Sequence, residues 1–210
     1  MTSVICFDLD GVYFSPIGKE RFNTFLETIK PANMDTSTFL DGFHNSNEMR
    51  QLVRGQIPLE AFGDFFRSYT GSKLSDAEFA NAWVAGYEIN QEVRSAVLRA
   101  RAQGYKTCVC TNNNKIRLDA LSIMFPEFVG DFDFIVSSHQ VGECKPARAI
   151  FEKLIERSGV LAEQILYSDD NKARLSGAHE LGIQTFVYHD FPQFVSELQT
   201  RGIDLNSENK

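Results

Sequence analysis

The 210-residue chain is 43% hydrophobic and carries a formal net charge of −7. It has apolar residues enough for one sizeable core and the wrong charge for sequence-independent binding of nucleic acid or an anionic membrane. The first apolar run is five residues long before Asp8 breaks it, and no run approaches the roughly 18 residues of a membrane span, so the sequence reads as a cytoplasmic protein with neither leader nor anchor.

In chain order, SVICF (3–7) is the first strand expected: short, apolar and rich in β-branched residues. The connection to the second strand is long. Asp8 and Thr111 are 103 residues apart, whereas a strand, helix, strand unit needs only about 30. The extra chain, about residues 15–90, reads as a helical cap inserted after strand one. LEAFGDFFRSY carries Leu59, Phe62 and Phe66 on one helical face, and SDAEFANAWVAGY opens with a Ser75 to Glu78 capping box before Phe79, Ala82, Trp83 and Tyr87. Residues 1–14 and 91–210 then form the core. There EVRSAVLRARAQG predicts a helix ending at Gly104, YKTCVC (105–110) a strand, and FDFIV (132–136) another. Pro146 starts the helical pattern ARAIFEKLIERSG, QILYS (164–168) is the fourth strand, KARLSGAHELG a helix, and QTFVY (184–188) the fifth strand. The C-terminal LNSENK reads as unstructured. Strands without polar alternation, separated by helices, predict an α/β fold with a doubly wound parallel sheet. Cys6, Cys108 and Cys110 fall inside strands, as small hydrophobes.

In open α/β sheets ligands bind beyond the carboxyl ends of the strands. Strand one delivers Asp8 and Asp10 there, strand two Thr111 and Asn112, strand three at some distance Lys145, and strand four Asp169 and Asp170. DxD alone is weak, since DFD recurs at 131–133 without such company. Carboxylates gathered on one rim repel unless a cation compensates them, and an all-oxygen set favours Mg²⁺. With Asp8, Asp170 and a backbone carbonyl near Asp10 around the ion, Lys145 and Thr111 would meet the remaining oxygens of a phosphoryl group. An aspartate beside the ion can attack phosphorus, and Gly11 permits the turn that brings Asp10 round as acid and then base.

FDLDGV (7–12), CTNN (110–113), Lys145 in ECKPARAIFEKL and YSDDNKA (167–173) occur in the order found in the haloacid dehalogenase-like superfamily of phosphohydrolases, which the chain resembles over residues 4–190. The resemblance implies a Rossmann-like core, Asp8 as nucleophile, Asp10 as acid/base, Thr111 and Lys145 as phosphate binders, and Asp170 as a direct Mg²⁺ ligand supported by Asp169. Within the superfamily, GFHNSNEMRQLVRGQIPLEAF (42–62) and GECKPARAIFEKL (142–154) are similar to small bacterial sugar-1-phosphate phosphatases, including those acting on α-D-glucose 1-phosphate. Two positions depart from the usual fourth motif: Ser168 precedes the acidic pair, and Arg174 stands where Asn or Asp is common.

The expected partner is thus a small phosphorylated metabolite, with a cap that closes over it. His44 and Glu48, in the polar HNSNEMR stretch, are candidates for selecting the leaving group, and Asn112 for binding phosphate. A phosphosugar mutase would use the same nucleophile and acid/base. A receiver-type signalling module also combines acidic residues, a hydroxyl and a lysine, but the 103-residue gap opposes it. A catalytically silent phosphate-binding protein is the third alternative.

Overall fold

Among the described residues, five parallel strands form one sheet in the order β3-β2-β1-β4-β5: β1 Val4–Phe7, β2 Lys106–Thr111, β3 Phe134–Ser137, β4 Ile165–Asp169 and β5 Gln184–Val187. The computed structural model describes residues 1–205. Most of LNSENK lies outside the described residues, but Leu205, expected in a loose tail, is buried against the core. β1 is central and its neighbours β2 and β4 lead the chain to opposite edges, so its carboxyl end lies at the switch point of the sheet.

Three strands, β2, β3 and β4, end one residue later than the sequence suggests. Backbone pairing continues to Thr111 opposite Ser137 and to Asp169 opposite Val187, so Thr111 and Asp169 are the last residues of β2 and β4 rather than the first of the following loops. That fixes both backbones in the ladder. After β1 the chain turns sharply: Gly11 donates to the Phe14 carbonyl at 2.8 Å and Phe14 to the Leu9 carbonyl at 2.8 Å, with Gly11 at φ 83°. A side chain there would be strained, and a Cβ would come within 2.3 Å of Asp170 Oδ2.

Between β1 and β2 lie α1 Ile17–Thr28, α2 Thr36–His44, α3 Asn47–Val53, α4 Leu59–Thr70, α5 Asp76–Val84 and α6 Gln91–Ala102. The Ser75–Glu78 capping box is present at the start of α5. Phe22, Phe43, Phe62, Phe66, Phe79 and Trp83 are buried together, with rings such as Phe66 and Phe79 at 4.2 Å between centroids. This apolar cluster is continuous with the one covering a face of the sheet, through Phe14, which meets Tyr87 at 5.5 Å and Phe128 at 5.4 Å. The other face has its own cluster, in which Cys6, Cys108 and Cys110 pack as small apolar groups beside Ile150, Phe151 and Leu154.

The remaining helices are α7 Lys115–Met124, α8 Pro126–Asp131, α9 Ser138–Val141, α10 Arg148–Ser158, α11 Ser176–Glu180 and α12 Phe191–Thr200. Two expectations are corrected. Pro146 is not the first helical residue: α10 starts at Arg148 with Ala147 as its N-cap, after a cis Lys145–Pro146 peptide. The single helix expected over 172–182 is instead a 3₁₀ turn, Lys172–Arg174, followed by α11. Asn171 draws the backbone into the tighter turn by accepting from the Ala173 amide.

The second DxD pair has a structural task, next to the start of β3 and not at a strand's carboxyl end. Asp131, buried, accepts from the Tyr13 hydroxyl at 2.6 Å and pairs with Arg94 at 2.7 Å. Removing one partner leaves the other desolvated and unpaired. Asp131→Ala is therefore expected to lower the free energy of urea unfolding by about 1–3 kcal/mol; an unchanged unfolding midpoint would refute the role.

Candidate active site

At the centre of the site a lysine is buried among acids. Lys145 Nζ lies 2.8 Å from Asp8 Oδ1, 2.7 Å from Asp169 Oδ2, 2.8 Å from the Tyr167 hydroxyl and 2.9 Å from the Cys110 carbonyl. Its side chain and that of Asp169 are 0% exposed, and that of Asp8 is 1% exposed. Such burial is tolerable only because the charges compensate one another and each has hydrogen bonds. The Tyr167 hydroxyl also donates to Asp169 Oδ2, and the Asn171 amide donates to Asp169 Oδ1 at 2.9 Å. The lysine is held in turn by Asn112: its Oδ1 accepts from the Lys145 amide at 2.6 Å and its Nδ2 donates to the Lys145 carbonyl at 3.1 Å.

These contacts show where two of the expected phosphate binders lie. The Lys145 ammonium does not line the cavity above but joins two carboxylates beneath it. The Asn112 side chain, expected to meet phosphate, clasps the Lys145 backbone and so ties the short connection 142–147 to the end of β2. Thr111 and Asn112 do line the cavity.

The electrostatics reflect this packing. Burial pushes Asp8 up to about 7, with repulsion from Asp169 adding to it and attraction from Lys145 and Arg174 opposing it. Asp169 is driven the other way: despite burial, Lys145 and hydrogen bonds from Lys145 and Tyr167 hold it below the usual carboxylate range. Lys145 itself, although buried, is held above its ordinary value by Asp8 and Asp169. Asp170, partly exposed, is raised by burial and by Asp169.

Asp8, Asp169 and Asp170 each offer an oxygen, and these lie within 4.8 Å of one another. Three hard oxygen donors suit Mg²⁺ or a similar cation. The absence of a side chain at Gly11 provides the space that the Asp170 carboxylate occupies, which places that carboxylate over the turn holding Asp10. The residues present therefore fit the ion that the sequence pattern implies.

A second charged contact was not foreseen. Arg117, in the first turn of α7, is aimed back at the site, its amide fixed by the Asn114 N-cap at 3.0 Å. Its Nη2 donates to both Asp10 oxygens, at 2.7 Å and 2.8 Å, and to the Tyr87 hydroxyl. The guanidinium lies 5.4 Å from the Trp83 ring and 5.3 Å from the Tyr87 ring. One core residue thus grips Asp10 and the aromatic edge of the cap together. Asn113, rather than Asn112, reaches Asp10, donating to Oδ2 at 3.4 Å. The only signal in the sequence was Arg117 three residues after an N-capping Asn, a spacing that also suits a solvated helix start.

Cap and core enclose a cavity of about 200 Å³. Asp10, Thr111, Asp170 and Arg174 form one end, and Lys19, Phe22, His44, Trp83 and Tyr87 the other. His44 is where the sequence reading puts a substrate-selecting group, with Nε2 donating to Asn23 Oδ1 at 2.8 Å in the neutral tautomer consistent with that acceptor. Glu48 is not brought into the cavity. On α3 it is Met49 and Val53, one turn apart, that line it, and Glu48 is rotated from Met49 by about 100°.

Comparisons with known proteins agree with this geometry. A family model for haloacid dehalogenase-like hydrolases matches residues 2–182. The chain belongs to that family. It is 28% identical over 195 residues to D-ribitol-5-phosphate phosphatase of Bacteroides thetaiotaomicron, covering 89% of this chain and 91% of the relative. It is 26% identical to bifunctional epoxide hydrolase 2 of Mus musculus, of which it spans only 38%. Among solved structures, a HAD-like family hydrolase from Porphyromonas gingivalis superposes with a TM-score of 0.77 at 26% identity, covering 99% of this chain and 100% of that one. A HAD family enzyme from B. thetaiotaomicron, solved with magnesium and inorganic phosphate, shares the fold at a TM-score of 0.79 and 24% identity, over 92% of this chain and 99% of that one.

Two outcomes are expected of this HAD-like site. Lys145→Met removes the cation between two buried carboxylates, so the free energy of unfolding is expected to fall by about 3–5 kcal/mol, read from urea titration. Burial, with Lys19 and Arg117 nearby, holds His44 below its ordinary value. The folded chain therefore resists a proton that the unfolded chain accepts below about pH 6.5, and stability is lost as pH falls through that range. His44→Gln should make the urea midpoint less sensitive to acid between about pH 6.5 and 5; an equally steep decline would count against a neutral His44.

Proposed function

We propose that this chain is a Mg²⁺-dependent phosphomonoesterase that acts through an Asp8 phosphoenzyme on a small phosphorylated metabolite, with sugar or polyol phosphates, glucose 1-phosphate among them, as the substrate class. The observation that carries the reading is the pair of carboxylates on one turn, Asp8 buried against Lys145 and Asp10 facing the cavity, beside an oxygen cluster fit for a divalent ion. The ribitol-phosphate phosphatase among the relatives supports the substrate class.

Asp8, Asp169 and Asp170, with the backbone carbonyl of Asp10, would hold Mg²⁺, which when bound screens the carboxylates from the phosphate. Asp8 Oδ1 is fixed by the Leu9 amide at 2.7 Å and by Lys145, so the carboxylate enters the reaction already oriented. Its attack on phosphorus forms the aspartyl phosphate and releases the alcohol, which takes a proton from Asp10. Asp10 then removes a proton from the water that hydrolyses the aspartyl phosphate, and Asp8 is regenerated. Thr111, at the end of β2, faces the phosphate end of the cavity. At the other end the Nδ1 of His44, the ring nitrogen not used on Asn23, would accept from a substrate hydroxyl, and Phe22, Trp83 and Tyr87 would exclude water from the leaving group.

The test is phosphate release from a panel of phosphorylated sugars, polyols, nucleotides and cofactors with Mg²⁺. Activity is expected on a sugar or polyol phosphate, and Asp8→Asn should reduce it by at least about a thousandfold while the chain stays folded. Full turnover by that variant would overturn the mechanism, and an isomeric sugar phosphate in place of inorganic phosphate would overturn hydrolysis as its outcome.

A further inference from the structure

Arg174 ends the 3₁₀ turn that follows Asp170, and its side chain lies between the cavity and the buried carboxylates. Nη1 is 3.3 Å from Asp8 Oδ2, 4.0 Å from Asp169 Oδ1 and 4.0 Å from Asp170 Oδ1. One nitrogen therefore faces one oxygen from each member of the cluster whose donors converge within 4.8 Å. A divalent ion drawing on these three oxygens would come to the same place. Lys145 holds the opposite oxygens, Asp8 Oδ1 and Asp169 Oδ2, and is not in the way.

The charges make the competition unequal but real. Three carboxylates are just balanced by Lys145 together with a divalent ion, so once the ion is bound Arg174 has nothing left to offset and is repelled by it. Without the ion, Arg174 and Lys145 together leave only one negative charge uncompensated. Withdrawal is sterically open, because the Arg174 side chain is 34% exposed and already lines the cavity.

We propose that Arg174 is a resident counter-cation that occupies the carboxylate focus, is displaced when a divalent ion enters, and so sets the affinity of this protein for that ion. The inference rests on the metal-dependent reading of the site and adds to it a residue of this chain that works against metal binding. It also accounts for a basic side chain where the fourth motif otherwise carries Asn or Asp. A divalent ion meets a site that is already occupied, and binds more weakly than its ligands alone would allow.

The full chain is titrated with Mn²⁺, following free ion by electron paramagnetic resonance, with Mg²⁺ as competitor. R174Q and R174A remove the charge at two side-chain sizes, so either one that folds decides the outcome; R174K keeps it. The neutral variants are expected to bind Mn²⁺ at least tenfold more tightly than the wild type, and R174K close to the wild type. In EDTA the neutral variants should melt below the wild type, and Mg²⁺ should raise their melting temperature more. D170N, combined with each, should weaken binding and so place the ion. Equal or weaker binding by the neutral variants, with D170N still effective, overturns the role of Arg174 and leaves the phosphatase reading intact. Binding that ignores D170N overturns both this inference and the carboxylate cluster as the ion's site.

Discussion

The buried Lys145 is the constraint on which the rest of the site depends. Asp8 and Asp169 are brought side by side by neighbouring strands, β1 and β4, with almost no access to water. Two carboxylates so placed cannot both ionise without a cation between them, and Lys145 is that cation. Much of the surrounding structure serves to hold it there. Asn112 ties its backbone to the end of β2, and Tyr167 and the Cys110 carbonyl take up the remaining donor capacity of the ammonium.

A second level of organisation joins this charged floor to the cap. The cap does not have a core of its own set apart from the sheet: its phenylalanines run into the sheet's apolar face through Phe14 and Tyr87. Arg117 repeats that connection in polar form, with Asp10 on one side and the rings of Trp83 and Tyr87 on the other. In the proposed reaction the residue that handles protons is therefore in contact with the part of the chain that encloses the leaving group. Anything that moves the edge of the cap also changes the surroundings of Asp10.

Charge balance links these features. At the rim Lys145 and Arg174 face Asp8, Asp169 and Asp170, while Arg117 faces Asp10. The chain is acidic overall, yet at this rim each carboxylate lies within reach of a cation, four residues away for Asp170 and from a distant part of the sequence for Asp8, Asp10 and Asp169. Phosphate can approach such a site only because its carboxylates are compensated, whether by these side chains or by a bound ion.

The sequence by itself determined the fold class, the five strands to within one or two residues at each end, the helical insert, and the four segments that meet at the site. Those rest on local information: apolar runs of strand length, capping signals such as Ser75 with Glu78, and a gap too long for one crossover. It also named Asp8, Asp10, Thr111 and Asp170 in places the structure brings together. Only the tertiary structure decided what each charged group faces. It put Lys145 under the cavity instead of in it, spent Asn112 on the lysine backbone, turned Glu48 away on α3, and set Arg117 against Asp10 and Arg174 against the three carboxylates. The physical reason is that the strand period and the helix period fix the face on which a side chain lies, but its partners come from elements far away in the chain, such as Asp10 and Arg117 or Asp8 and Arg174. Their pairing is decided by the packing of the sheet and its insert.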